Sequence, residues 1–118
     1  MILIVGGAGQ GKLAFAMERF GFSEADATPG GPVWNAFHLA VRDCLREDGD
    51  IAALTEKAAQ SEIVLCDEIG CGVVPIDREE RRWREETGRA CQKLAREARA
   101  VYRVVCGIPV CLKGESVC

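Results

Sequence analysis

The sequence lacks several features that mark specialised classes of protein. Its seven cysteines include no pair at the C-x-x-C spacing of zinc and dithiol sites. Its apolar amino-terminal run, residues 1–5, has no basic flank and meets glycines too early for a signal peptide or a membrane span. The formal net charge of -3 gives no general attraction to nucleic acid or to anionic lipid. These absences predict a cytoplasmic protein with neither nucleic acid nor membrane as a partner.

What is present predicts one small globular domain. A length of 118 residues with 48% hydrophobic content is typical of a single domain, so we expect residues 1–118 to form one unit. A core of this size is small, and a homo-oligomer would add to its stability. The cysteines are expected mainly as small buried hydrophobes. Cys66 and Cys106 lie in apolar runs, whereas Cys71, Cys111 and Cys118 are predicted to lie in loops.

Apolar runs alternate with helical patterns along the chain. Three short runs rich in β-branched residues predict buried parallel strands, at Ile2–Val5, Ile63–Cys66 and Val101–Cys106. Helical spacing predicts four helices, at Leu13–Phe20, at Asn35–Arg46, from an Asp50 cap to Gln60, and at Arg78–Arg99 after an Asp77 cap. This order predicts an α/β fold with a small, mainly parallel sheet and helices on its faces.

A glycine-rich loop follows the first predicted strand and matches the pattern G-x-x-x-x-G-K. Its residues are Gly6, Gly7, Ala8, Gly9, Gln10, Gly11 and Lys12. In such a loop the glycines let backbone N–H groups turn toward a phosphate, the following helix adds partial positive charge, and the lysine neutralises phosphate oxygens. The alternative is a plain glycine-rich turn. The strand before the loop and the helix after it favour a P-loop that binds ATP or GTP.

The residues expected around a bound nucleotide depart in part from the usual pattern. Leu13 ends the predicted binding loop at the position where a serine or threonine hydroxyl normally binds Mg²⁺. Asp67 and Glu68 follow the second predicted strand and resemble a Walker B element. In that arrangement the first acid holds Mg²⁺ and the second polarises the nucleophile. The alternative is that these acids simply end a strand.

Three further features have two interpretations each. The loop Ile69–Pro75 either approaches a ligand closely or simply joins a strand to a helix. Lys113 either reaches a phosphate or is an ordinary surface lysine. His38 is the single histidine, and its place on an apolar helix stripe favours a packed structural role over that of nucleophile or base.

The sequence resembles the bifunctional adenosylcobinamide kinase and adenosylcobinamide-phosphate guanylyltransferase family of cobalamin biosynthesis. The resemblance is carried by the start ILIVGGAGQGK and by the stretches Asp67–Pro75, Arg81–Arg84, Gly88-Arg89 and Val104–Lys113. It implies a RecA-like P-loop fold, a three-layer sandwich that is often oligomeric. It also implies phosphorylation of the aminopropanol hydroxyl of adenosylcobinamide, followed by GMP transfer through a guanylylated histidine. The matching site residues are Gly6–Lys12, Asp67 and Glu68.

The chain is shorter than members of that family between residues 21 and 61. No His-x-x-x-Arg-Pro pattern occurs there, so His38 is not assigned the guanylylated role. The leading hypothesis is a cobinamide kinase-like protein that uses ATP or GTP with Mg²⁺. In it Lys12 and Glu68 are catalytic and Asp67 organises the metal. The alternatives are a non-catalytic nucleotide-binding accessory protein of corrinoid metabolism and an interaction domain with a vestigial loop.

Overall fold

A computed structural model describes residues 1–69 and 77–114. Its elements, in chain order, are β1 (Ile2–Gly6), α1 (Lys12–Phe20), a 3-10 turn (Glu24–Asp26), β2 (Val33–Trp34), α2 (Phe37–Arg46), α3 (Ile51–Ala59), β3 (Ile63–Asp67), α4 (Arg78–Glu97), β4 (Ala100–Val105) and β5 (Ile108–Lys113). The predicted strands and helices are all present, with bounds shifted by a residue or two. Helix α2 begins later than predicted because Ala36 has a left-handed backbone, with φ of 55°.

The described strands form a five-stranded sheet in the order β2-β3-β1-β4-β5. Strand β1 pairs in parallel with β3 and β4, β2 pairs in parallel with β3, and β5 is antiparallel to β4. The prediction of a mainly parallel sheet is therefore confirmed, and β2 and β5 are two strands beyond the three predicted. Strand β2 is too short to leave a pattern, and β5 contains Pro109, which weakens a strand prediction. Cys111 accordingly lies in a strand rather than in a loop.

Side chains alternate between the two faces of the sheet and build a separate core on each face. Leu3, Val64 and Val101 share one apolar cluster with residues of α2, α3 and α4. Ile4, Leu65 and Tyr102 share the other cluster with residues of α1. The described chain is thus an α/β structure of three layers, with one helix on one face and three on the other.

Side-chain caps fix where two helices begin and where one ends. Asp50 accepts hydrogen bonds from the N–H groups of Ala52 and Ala53 at 3.0 and 3.3 Å, and Asp77 accepts from the N–H of Glu79 at 2.9 Å. At the far end of α4, Lys113 Nζ donates to the carbonyls of Ala95 and Arg96, both at 2.9 Å. Both predicted caps are confirmed. Lys113 therefore stabilises the end of a helix. It lies opposite Val101, near the start of β4, and not at the carboxyl edge of the sheet, where a phosphate would bind.

Strands β4 and β5 form a hairpin with a two-residue turn at Cys106-Gly107. Both turn residues have positive φ, 52° and 76°, as a type I′ turn requires. Cys106, predicted inside a strand, is instead an exposed turn residue. One face of the hairpin carries exposed apolar side chains, namely Val105, Ile108, Val110 and Leu112. In the ranges 1–69 and 77–114, no helix has the length and apolar character needed to span a bilayer.

Candidate functional site

The glycine-rich pattern forms the connection between β1 and α1. Strand β1 ends at Gly6 and helix α1 begins at Lys12, so the loop leads directly into a helix amino terminus. Gly9 and Gly11 have φ of 70° and 93°, a backbone conformation that other residues rarely adopt. This is the strand, loop and helix arrangement in which backbone amides and the helix dipole favour an anion.

Lys12 is the buried cation of this site. Its side chain is only 8% exposed, and its ammonium lies 2.7 Å from Asp67 Oδ1. The same Nζ atom donates a hydrogen bond to the carbonyl of Gly7 at 2.8 Å. A buried ammonium requires such partners, because an uncompensated charge in the interior is strongly unfavourable. In this state of the protein, Lys12 is therefore held by the loop on one side and by the acidic strand on the other.

The strand register explains how Asp67 reaches Lys12. In the parallel pairing of β1 with β3, Gly6 lies opposite Asp67. The N–H of Glu68 then donates to the carbonyl of Gly6 at 2.9 Å, which continues the pairing past the strand ends. Because the carboxyl ends of parallel strands lie at one edge of the sheet, the loop after β1 and the acid ending β3 are neighbours.

Asp67 is the residue that would hold Mg²⁺ beside a nucleotide. One carboxylate, supplemented by water and phosphate oxygens, is a donor set that Mg²⁺ accepts, so the residues fit such an ion. When bound, Mg²⁺ supplies charge neutralisation at the phosphates. Residues 1–69 and 77–114 contain no cluster of three or more potential metal ligands.

His38, from the first turn of α2, contacts Asp67 on two sides. Its Nδ1 accepts a hydrogen bond from the N–H of Asp67 at 3.2 Å, so the ring proton is on Nε2. That Nε2 lies 3.4 Å from Asp67 Oδ2. Burial lowers the pKa of His38 below 6.5, the nearby Asp67 opposes this shift, and the charges of Lys12 and Arg42 add to it. The imidazole is therefore neutral near pH 7 and clamps Asp67 through both nitrogens.

Trp83 of α4 fixes the position of His38. Its indole Nε1 donates to the carbonyl of His38 at 2.7 Å, and the two ring centroids lie 6.3 Å apart. The guanidinium of Arg42 lies over the indole ring, 5.7 Å from its centroid. Helices α2 and α4 are thus joined at the point where His38 reaches the sheet.

Glu68 pairs with Arg103 of β4. Arg103 Nε lies 2.8 Å from Glu68 Oε1, and its Nη2 lies 3.0 Å from Oε2, a bidentate arrangement. Strand β1 separates β3 from β4, so this pair bridges across β1 at the carboxyl edge of the sheet. The two acids predicted at this edge therefore have different partners.

Other predicted site residues are placed less directly. Leu13 packs against the apolar cluster on the α1 face. Gln10 turns its side-chain oxygen to the N–H of Cys106, at 2.7 Å. Of the predicted ligand loop Ile69–Pro75, residues 70–75 lie outside the described ranges.

The sequence interpretation missed the two residues that support Asp67 and Glu68. The sequence predicts a packed structural His38, and the residue is indeed buried, but it packs against Asp67. The sequence pattern carries no signal for this contact, because β2, the parallel strand that places the first turn of α2 at the carboxyl edge of the sheet, is only two residues long. The side chain of Arg103 is about half exposed, and an exposed arginine in a strand requires no partner, so the sequence carries no signal for its pair with Glu68.

The described fold and site define an α/β protein with a paired lysine and aspartate at the carboxyl edge of a mainly parallel sheet. The model of the family described as cobinamide kinase / cobinamide phosphate guanyltransferase matches residues 33–112. The chain belongs to this family, so the resemblance noted from the sequence is confirmed.

One curated relative gives the scale of the match. The bifunctional adenosylcobalamin biosynthesis protein CobP of Pseudomonas aeruginosa is 35% identical over 88 residues, which cover 72% of this chain and 51% of the relative. The chain thus spans about half the length of that relative. The family match at residues 33–112 contains Asp67 and His38 but not the loop with Lys12.

Proposed function

We propose that the protein is a cobinamide kinase, which transfers the terminal phosphoryl group of ATP or GTP to a hydroxyl of a cobinamide-type substrate. The observation that carries this proposal is the 2.7 Å pair of Lys12, at the end of the glycine-rich loop, with Asp67. Membership of the family supplies the substrate class. Phosphoryl transfer depends mainly on positioning and on charge stabilisation, so a lysine, loop amides and a carboxylate are the essential groups.

Each residue has a distinct role in this proposal. Lys12 and the amides of the loop bind the phosphates and stabilise the charge that develops on the transferred group. Asp67, oriented by His38, is the carboxylate that would hold Mg²⁺. Glu68 is the candidate base for the substrate hydroxyl, and Arg103 fixes the direction of its carboxylate.

The test is a mass-spectrometric assay for phosphorylated cobinamide with Mg²⁺ and either nucleotide. The wild-type protein is expected to form the product, and Lys12→Ala is expected to abolish it. Lys57→Ala removes an exposed lysine of α3 and serves as the matched control, with activity retained. Absence of product from a folded wild-type protein with both nucleotides would refute the kinase proposal.

Leu13 favours a second candidate, a nucleotide-binding accessory protein without catalysis. A P-loop kinase normally offers a serine or threonine hydroxyl to Mg²⁺ at this position. Leu13 instead packs against the apolar cluster on the α1 face. Calorimetry separates the candidates, because nucleotide binding that is indifferent to Mg²⁺, without turnover, supports the accessory role. If lack of the hydroxyl limits a kinase, Leu13→Thr is expected to increase turnover at low Mg²⁺.

Guanylyl transfer through His38 is not part of the proposal. A nucleophilic histidine must direct a lone pair at the phosphorus that it attacks. The lone pair of the His38 ring is on Nδ1, where it accepts a hydrogen bond from the N–H of Asp67. The protonated Nε2 faces the Asp67 carboxylate. Neither nitrogen of this buried ring is available to a nucleotide in the described conformation.

A further inference from the structure

The glycine-rich loop is tied to the turn of the β4–β5 hairpin by two hydrogen bonds. The N–H of Cys106 donates to the side-chain oxygen Oε1 of Gln10 at 2.7 Å. The N–H of Gly107 donates to the backbone carbonyl of Gln10 at 2.8 Å. The Cys106 and Gln10 positions are 96 residues apart along the chain, so these contacts are tertiary.

Gln10 therefore holds the loop through contacts with the hairpin turn, which are separate from any contact with phosphate. Its side-chain oxygen and its backbone carbonyl are both directed at the hairpin turn. The loop it belongs to is rich in glycine, and such a loop loses much conformational freedom when it is ordered around a ligand. A tie near the middle of the loop removes part of that freedom before the ligand arrives, which favours binding.

The hairpin turn is well suited to hold the loop. Val105 and Ile108 pair across the turn, and Cys106 and Gly107 between them have φ of 52° and 76°. The strand pairing fixes the direction of the two N–H groups that reach Gln10. The turn is also in close contact with the loop, because a Cβ added to Gly11 would lie 3.4 Å from the Cα of Gly107.

We infer that Gln10 and the Cys106-Gly107 turn form a clasp that preorganises the loop, and that Gln10 is a positioning residue for nucleotide affinity. The clasp rests on the proposed function only in that the loop binds a nucleotide. It does not depend on whether phosphoryl transfer follows. The turn that joins β4 to β5 thereby sets how tightly the loop holds phosphate.

The experiment alters the clasp from each side and measures the Kd for ATP and GTP by calorimetry. Gln10→Met keeps the size of the side chain but removes the acceptor. Gly107→Ala strains the turn, whereas Gly107→Asn is the matched control, because asparagine tolerates positive φ and a Cβ at this position meets nothing within 4 Å. The loss of the side-chain acceptor predicts a Kd about three- to tenfold weaker for Gln10→Met, and displacement of the turn by strain at positive φ predicts a loss of the same order for Gly107→Ala.

A double variant and a kinetic measurement distinguish the clasp from simple destabilisation. Gln10→Met combined with Gly107→Ala is expected to weaken binding by less than the product of the two single effects, since both variants act on the same clasp. If turnover occurs, Gly107→Ala is expected to raise the nucleotide KM and to leave kcat in place. Urea unfolding confirms that every variant is folded under the conditions of the assay.

The outcomes separate this inference from the proposed kinase activity. An unchanged Kd in Gln10→Met, or equal effects of Gly107→Ala and Gly107→Asn, overturns the clasp alone. A wild-type protein that binds nucleotide without turnover overturns the kinase proposal alone, and the Kd values still decide the clasp. A folded wild-type protein that binds neither nucleotide overturns both.

Discussion

Replacing Asp67 with asparagine tests whether the folded chain depends on the pair with Lys12. At an effective dielectric constant of about 20, opposite charges 2.7 Å apart attract by roughly 6 kcal/mol. Much of this attraction is offset, because asparagine does not carry the desolvation penalty of a carboxylate. Its amide oxygen also still accepts a hydrogen bond from Lys12. We therefore expect Asp67→Asn to lower the free energy of unfolding by about 2–3 kcal/mol. Urea unfolding followed by circular dichroism measures it.

The control is Asp50→Asn at the start of α3. Asp50 is exposed and caps a helix, and asparagine caps as well as aspartate does, so we expect a change within about 0.5 kcal/mol. A double-mutant cycle with Lys12→Met then isolates the coupling between the two charges. If Asp67→Asn is as mild as Asp50→Asn, or if the cycle shows no coupling, the pair is screened by solvent and the reasoning fails.

Three further predictions concern other parts of the molecule. The pKa of His38 is lowered in the folded chain, so its stabilising contribution is full above pH 6.5 and is lost as the pH falls through the folded pKa. His38 is the single histidine, so His38→Gln is expected to reduce the pH dependence of the free energy of unfolding between about pH 5 and 7. If the variant keeps this pH dependence, its assignment to His38 is contradicted. Lys113→Met removes two hydrogen bonds at the end of α4 and is expected to lower the free energy of unfolding by about 1 kcal/mol. An unchanged thermal unfolding curve would show that solvent replaces the cap. The exposed apolar face of the hairpin supports the predicted homo-oligomer, so Leu112→Lys is expected to lower the sedimentation coefficient, and a wild-type protein that sediments as a monomer at high concentration would refute that expectation.

The fold was predictable where hydrophobic pattern and local capping agree. Ile2–Val5 and Ile63–Cys66 are short, continuous apolar runs rich in β-branched residues, a pattern that favours strands buried on both faces. Asp50 and Asp77 announce two helix starts by residue type alone. Strand β5 was not predicted, because its apolar side chains lie on an exposed face and because it contains Pro109. Its pairing depends on the turn at Cys106, where a non-glycine residue adopts positive φ.

The site was predictable to the extent that it follows from the sheet. Gly6 and Asp67 end neighbouring parallel strands, so their meeting follows once the strands are recognised. The contact of His38 with Asp67 depends instead on the rotation of α2 and on the anchor from Trp83, which no local pattern encodes. Gln10 matched the loop pattern, but only the tertiary structure reveals that its side chain binds a turn nearly a hundred residues away.

Asp67 pairs with Lys12 in the folded chain, and in the proposed kinase it would also compete with the nucleotide for this lysine. The Lys12 ammonium has three N–H donors, and the carbonyl of Gly7 and Asp67 Oδ1 take two of them. A phosphate that takes more than the remaining donor has to replace Asp67 Oδ1, so part of the free energy of this pair is subtracted from nucleotide affinity. Release of Lys12 also makes the carboxylate available to a cation, a role that Leu13 cannot share. Asp67→Asn separates these effects: we expect nucleotide binding without Mg²⁺ to tighten by about two- to fivefold, and the further gain on adding Mg²⁺ to disappear. Calorimetry with and without Mg²⁺ measures both, and weaker binding in the absence of the ion would show that Asp67 positions Lys12 for the phosphate instead of competing with it.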